Sequence, residues 1–135
     1  MSSLKNLKLA QKAANEQRLV ILELQTLVKD IERCEKIILA LNQELQGVNA
    51  KYQGRRTTRE DIGYLTDLLE CAKKKLAWEK NIASLQKRTP ALLEKMSTLI
   101  HNPQNPPSEE SRAAMLASLQ AVQAAMERLQ NVKTE

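Results

Sequence analysis

The sequence predicts an all-α protein: a long, antiparallel, coiled-coil-like helical hairpin, with a shorter third helix folded back to form a three-helix bundle at the open end. Aromatic residues make up 2% of the chain, so a core must be built from aliphatic side chains. Three Gly and four Pro are few and clustered, which leaves little turn chemistry for a sheet. Apolar residues recur in alternating steps of four and three, the heptad pattern of helices packed along their length. The 135 residues suit a single domain.

The first helix is predicted over about 4–53. Its apolar seam advances without a miss through Val20, Leu24, Leu27, Ile31, Cys34, Ile38, Leu41, Leu45, Val48 and Tyr52. Upstream the seam weakens to Ala10, Ala13 and Gln17, so we expect looser packing there. Ile21 and Val28 widen the apolar face in the middle of the helix, where the third helix is expected to land.

A sharp turn is predicted over residues 54–57. Gly54 suits a helix C-terminus, and Thr57 with Glu60 forms a capping box for the next helix. The short connection makes the two helices antiparallel. The second helix is predicted over about 58–100, with a kink or brief break at Thr89-Pro90, because Thr favours the N-cap position and Pro the first helical position.

A Pro-rich linker over 101–108 precedes a last helix over about 109–132, which Ser108 caps. The predicted seam of this helix is Met115, Leu119, Val122, Met126 and Leu129. At 1.5 Å per residue the last helix is about 36 Å long and the first about 75 Å. The last helix therefore cannot reach the turn at Gly54.

The first half of the second helix carries an additional apolar line, here called the outer stripe. Its members are Ile62, Leu65, Leu69, Ala72 and Leu76. Because the third helix ends before this region, the outer stripe has no predicted partner within the chain, and an exposed stripe of this kind is typical of an interaction surface. We predict that a helix of another protein, or of a second copy, binds there. The alternative is that the first helix wraps to cover both stripes.

The net charge of +5 is concentrated near the turn, since residues 51–88 hold 10 basic and 5 acidic side chains. The candidate basic surface consists of Lys51, Arg55, Arg56, Arg59, Lys73, Lys74 and Lys75. It is interpreted either as a contact for an acidic protein, nucleic acid or anionic membrane, or as a solvated face. No aromatic residues are interleaved for base stacking.

Nothing in the sequence predicts catalysis, a metal site, a cofactor or a small-molecule substrate. One His offers no relay, and no phosphate-binding or hydrolase motif occurs. Cys34 and Cys71 are expected to be small buried hydrophobes, offset by about 9 Å along the hairpin and too far apart for a disulfide. Thr58, in a basic context, and Thr89, before Pro90, are candidate phosphorylation sites.

The composition favours an intracellular location, in the cytoplasm or nucleus. No segment is long and apolar enough to be a transmembrane helix, and the first residues lack an apolar signal region. Two cysteines far apart in sequence fit a reducing compartment.

Two short stretches, Leu41–Val48 and Val122-Gln123-Ala124, resemble pieces of the BAG co-chaperone domain. That resemblance implies an antiparallel three-helix bundle that binds heat-shock chaperones. No basic pair precedes Val122 here, where the family uses basic residues to contact its partner. The short resemblance keeps a BAG-like regulatory binding module as an alternative, and the missing basic pair leaves its mode of partner binding open.

The first hypothesis is a non-catalytic scaffold protein, a small subunit of a multi-protein assembly held by coiled-coil contacts. An adaptor that uses its basic end to bind an acidic surface is a further alternative.

Overall fold

The computed structural model describes residues 2–54 and 56–134, which form three helices: α1 (Ser2–Lys51), α2 (Thr58–Ile100) and α3 (Glu109–Thr134). The predicted all-α fold is confirmed, and the described residues include no strand. α1 packs against both other helices, whereas α2 and α3 approach each other at few points. α1 is therefore the central element of the bundle.

Three ion pairs define how α1 and α2 lie beside each other. They are Lys95–Glu23 at 3.6 Å, Arg88–Asp30 at 3.1 Å and Lys74–Glu44 at 3.0 Å. Each step towards the N-terminus of α2 is matched by an equal step towards the C-terminus of α1. The two helices are antiparallel in one register along their shared length.

α3 runs parallel to α1. The Arg128 Nε lies 3.5 Å from the Glu35 carboxylate, and the Asn42 side-chain amide donates to the Val132 carbonyl at 3.5 Å. Near its C-terminus α3 is thus level with Asn42. The last turns of α1, up to Lys51, have no third helix beside them.

The core lies at the open end of the hairpin, where all three helices meet. Leu24, Leu27, Ile31 and Met115 are among its fully buried side chains. Towards the turn the α1 seam is only half buried, at Leu45, Val48 and Tyr52. Burial of apolar area is the main stabilising term, so most of the folding energy resides away from the turn.

The predicted seam of α3 is confirmed at Met115, Val122 and Leu129, and the buried line also includes residues that were not predicted. The buried residues of α3 are Met115, Ser118, Val122, Ala125, Leu129 and Val132. The predicted seam residues Leu119 and Met126 are only half buried and flank this line. The small side chains of Ser118 and Ala125 are buried, and the longer side chains of Leu119 and Met126 pack against the edge of the core. As expected, α3 lies over α1 at Val28.

Two local features differ from the sequence-based expectation. Ala13 and Gln17 are buried, so α1 packs further towards its N-terminus than its weak seam indicates. α2 continues through Pro90 without a break. Leu85 and Leu92, on either side of the proline, are both buried, and their packing outweighs the loss of one backbone hydrogen bond. A kink without a break stays a prediction.

The predicted N-caps of α2 and α3 are present. The Thr57 hydroxyl accepts from the Glu60 N–H at 3.2 Å, and the Glu60 carboxylate accepts from the Thr57 N–H at 3.5 Å. Gly54 has a φ of 88°, the left-handed conformation that favours glycine. Ser108 accepts from the Ser111 N–H at 3.1 Å at the start of α3.

Candidate interaction surface at the turn end of the hairpin

The start of α2 extends past the end of α1. Lys51, the last residue of α1, lines the same surface cavity as Asp67 and Glu70, in agreement with the register of the ion pairs. Residues 58–66 therefore reach about 13 Å beyond α1, at 1.5 Å per residue. This projection was not predicted, because a hairpin centred on the turn itself would have helices that end level with each other.

Two tyrosines support the projecting turns. The rings of Tyr52 and Tyr64 meet edge to face, with centroids 5.3 Å apart. Tyr52 donates to the Asp67 carboxylate at 3.1 Å, and Tyr64 donates to the Asn49 side-chain oxygen at 2.7 Å. Gly63 lies beneath Tyr52, where an added Cβ would be 2.9 Å from the phenol oxygen. These contacts connect the linker, α1 and α2.

Arg56 completes this support. Its Nε lies 2.9 Å from the Asp61 carboxylate, its Nη1 donates to the Tyr52 carbonyl at 3.3 Å, and its guanidinium stacks 4.5 Å from the centre of the Tyr64 ring. Arg56 is thus engaged within the chain. The sequence predicts the charge of Arg56 but not its role in closing the turn, which depends on the position of the Tyr64 ring.

The outer stripe lies on the exposed side of α2. Ile62 is 62% exposed, Leu65 64%, Leu69 56% and Leu76 57%, and Ala72 between them is exposed as well. The alternative in which α1 covers both stripes is therefore wrong. Ile62 and Leu65 lie on the part of α2 that extends past α1.

The outer stripe differs from the other exposed apolar residues in its continuity. Leu4 and Leu7 form one exposed pair on α1, and Leu19 and Leu22 form another. Among residues 2–54, which the structure describes, neither pair is extended by a further exposed large apolar residue at helical spacing. The outer stripe continues for five consecutive positions at steps of three and four, which is the length that a second helix needs for side-by-side packing.

Comparisons with protein-family models, curated proteins and solved structures find no match to this chain. The resemblance to the BAG domain gains no support from them. Function has to be inferred from the surface itself.

The candidate basic residues divide into engaged and unengaged groups. Lys51 lies 5.2 Å from the centre of the Tyr52 ring. Lys74 pairs with Glu44, and the hydrogen bond to that carboxylate raises the pKa of Lys74. Arg55 lies outside the described residues. Arg59 and Lys73 are exposed and Lys75 is half buried, and none of these three forms an ion pair with a carboxylate of the described residues.

Both cysteines are buried and free, at 3% exposure each. In the register of the ion pairs, Cys34 is level with residue 84 of α2, and Cys71 is level with residue 47 of α1. The two cysteines are therefore roughly 20 Å apart along the helix axis. The observed separation is thus larger than the predicted one, and it likewise excludes a disulfide. Burial raises the pKa of both thiols, with further contributions from Asp30 at Cys34 and from Glu44 at Cys71.

The candidate phosphorylation sites have contrasting environments. Thr58 is exposed and is the first residue of α2, directly after the Thr57 N-cap. Thr89 is half buried inside the continuous helix, and its hydroxyl donates to the Leu85 carbonyl at 2.8 Å. Modification at either threonine stays a prediction, and the structure offers access at Thr58.

In the part of the chain that the structure describes, no group of three or more His, Cys, Asp and Glu side chains is arranged to hold a metal ion. No described helix combines the length and apolar character needed to span a bilayer.

Proposed function

We propose that this chain is a non-catalytic scaffold protein that holds a helix of a partner protein against the outer stripe. The observation that supports the proposal is the unbroken exposed line of Ile62, Leu65, Leu69, Ala72 and Leu76 on α2. A single exposed leucine is ordinary on a protein surface, but a line with heptad spacing forms one face of a helix pair.

The size of the stripe sets the strength of the contact. Covering the four large side chains, each more than half exposed, contributes about 4–7 kcal/mol at the usual transfer energies. Association with micromolar affinity requires about 8 kcal/mol after the cost of ordering both partners. The apolar contact therefore directs where the partner helix lies, and additional contacts beside the stripe must complete the affinity.

The stripe is also separate from the elements that stabilise the chain. The core residues Leu24, Ile31 and Met115 lie at the open end, whereas the stripe begins on the projecting turns of α2. Polar substitutions in the stripe should accordingly weaken partner binding while the chain stays folded.

The test is affinity purification of the tagged chain from cells that express it, with two double variants. Leu65→Ser with Leu69→Ser should lose the specific partner. Leu19→Ser with Leu22→Ser is the matched control, because these leucines are exposed to a similar degree, 55% and 54%, on α1. The control should retain the partner. Crosslinks from Lys73 should map to a helical segment of that partner.

Loss of the partner in both double variants, or in neither, would contradict the proposal. Circular dichroism of each variant supplies the folding control, since helical content should be unchanged. The mass of the complex in solution should also fall when the chain carries Leu65→Ser and Leu69→Ser. A mass equal to that of the unmodified complex would count directly against the stripe as the interface.

A further inference from the structure

The charges that flank the outer stripe identify the chemistry of the partner helix. In a helix pair, the rim is formed by heptad position g, which precedes a, and position e, which follows d. Along this line Ile62, Leu69 and Leu76 are a positions, and Leu65, Ala72 and Glu79 are d positions. Lys73 follows Ala72, and Lys80 follows Glu79, the next position of the same heptad line. Lys75 precedes Leu76 on the other side. Asp61, which precedes Ile62, is already paired with Arg56.

The lysine ammonium groups on this rim are available to pair with carboxylates of a partner. Lys73 and Lys80 are exposed, Lys75 is half buried, and none of the three pairs with a carboxylate among the described residues. Lys74, on the neighbouring face, is by contrast paired with Glu44 at 3.0 Å. The side of α2 that faces α1 is thus neutralised within the chain, and the rim of the stripe keeps its positive charge.

This arrangement disfavours a second copy of the chain as the occupant. In an antiparallel copy centred on Leu69, Arg59 lies beside both Glu79 and Lys80 of the second copy, so this contact is mixed in sign and the net charge of the two segments decides. A parallel copy places Lys75 beside Lys80 of the second copy. Each arrangement also brings together two segments that hold 10 basic and 5 acidic side chains each. Like charges at such positions weaken helix pairing.

We propose that the occupant of the outer stripe is an amphipathic helix of a different protein, with an apolar seam bordered by Asp and Glu. The carboxylates pair with Lys73, Lys75 and Lys80 while the seam covers Leu65, Leu69 and their neighbours. This inference rests on the proposed function and adds the charge and identity class of the partner.

The experiment uses the full chain and two synthetic helical peptides of about 21 residues, three heptads. Both carry Leu and Ile on the seam. One carries Glu at every rim position and the other Lys. The chain should bind the Glu peptide about tenfold or more tightly than the Lys peptide, from three rim pairs of ordinary surface strength. Added salt should reduce this preference.

A charge-reversed chain with Lys73→Glu and Lys80→Glu is the matched variant. These side chains form no ion pair with the described residues, so the fold should be unaffected, and circular dichroism checks this. The variant should reverse the preference and bind the Lys peptide more tightly.

The outcomes separate this inference from the proposed function. Equal binding of both peptides, lost in the Leu65→Ser, Leu69→Ser chain, would overturn the acidic rim and leave the stripe as a docking site. Absence of binding by either peptide would overturn both. A dimer of the chain alone that Leu69→Ser dissolves would assign the stripe to a second copy. Binding of anionic vesicles or DNA that needs Lys73 but not Leu65 would assign the lysines to another class of partner.

Discussion

Truncation of one buried and one exposed leucine should have very different effects on the stability of the chain. Leu27 is fully buried, at 0% exposure, in the seam of α1, whereas Leu65 is 64% exposed in the outer stripe. Leu27→Ala leaves a cavity in a core to which three helices contribute and should cost about 2–5 kcal/mol. Leu65→Ala removes about a third of a leucine's burial energy, and Ala is slightly the better helix former. Its cost should stay below about 1 kcal/mol.

The measurement is urea unfolding followed by circular dichroism at two protein concentrations. The free energy of unfolding for Leu65→Ala should match the unmodified chain within about 1 kcal/mol and should not depend on concentration. Equal costs for the two substitutions would refute the reasoning, because Leu65 would then be covered by the chain itself or by a second copy.

Four further changes test the local structure. Gly47→Ala should stabilise the chain by about 1 kcal/mol through helix propensity, because no atom lies within 4 Å of the added Cβ. Gly63→Ala should gain less, since its Cβ would be 2.9 Å from the Tyr52 hydroxyl; an equal gain in urea unfolding would contradict this. Thr57→Ala should cost about 1 kcal/mol through loss of the capping box, and Thr57→Ser should restore most of it. Above the ordinary thiol pKa of 9.0, stability should fall as the pH rises, because the unfolded chain ionises its two cysteines while burial keeps them protonated. Replacing both with Ala should reduce that slope, and an unchanged slope would contradict the assignment.

The fold could be predicted from the sequence because its main signals are local and periodic. The seam from Val20 to Leu41 is buried as the heptad steps indicate, and the Thr57 cap follows from four consecutive residues. The exposure of Ile62, Leu65, Leu69 and Ala72 follows from helix lengths, since α3 is level with Asn42 near its end. Leu76 is level with Asn42 in the register of the ion pairs, and its exposure depends on the face of α2 on which it lies. Each of these inferences depends on a spacing or a length.

Features that depend on the three-dimensional register of the helices could not be predicted from the sequence. The seam of α3 includes Ser118 and Ala125 beside the predicted Met115, Val122 and Leu129, because the closest approach of packed helices favours small residues, which a count of large apolar residues overlooks. The projection of α2 past α1 depends on the register between the two helices, which the three exposed ion pairs mark. The position of Arg56 on the Tyr64 ring depends on that projection. The continuous helix at Pro90 reflects packing on both sides that propensity does not include.

The central claim is that the outer stripe is open in the lone chain and closed in the assembly. Leu69→Cys, in a chain with both native cysteines replaced by Ala, allows a thiol reagent to report this directly. The added thiol should react rapidly in the free chain and slowly in the affinity-purified complex, whereas Leu22→Cys should react rapidly in both. Slow reaction at position 69 in the free chain, or an unchanged rate in the complex, would contradict the account.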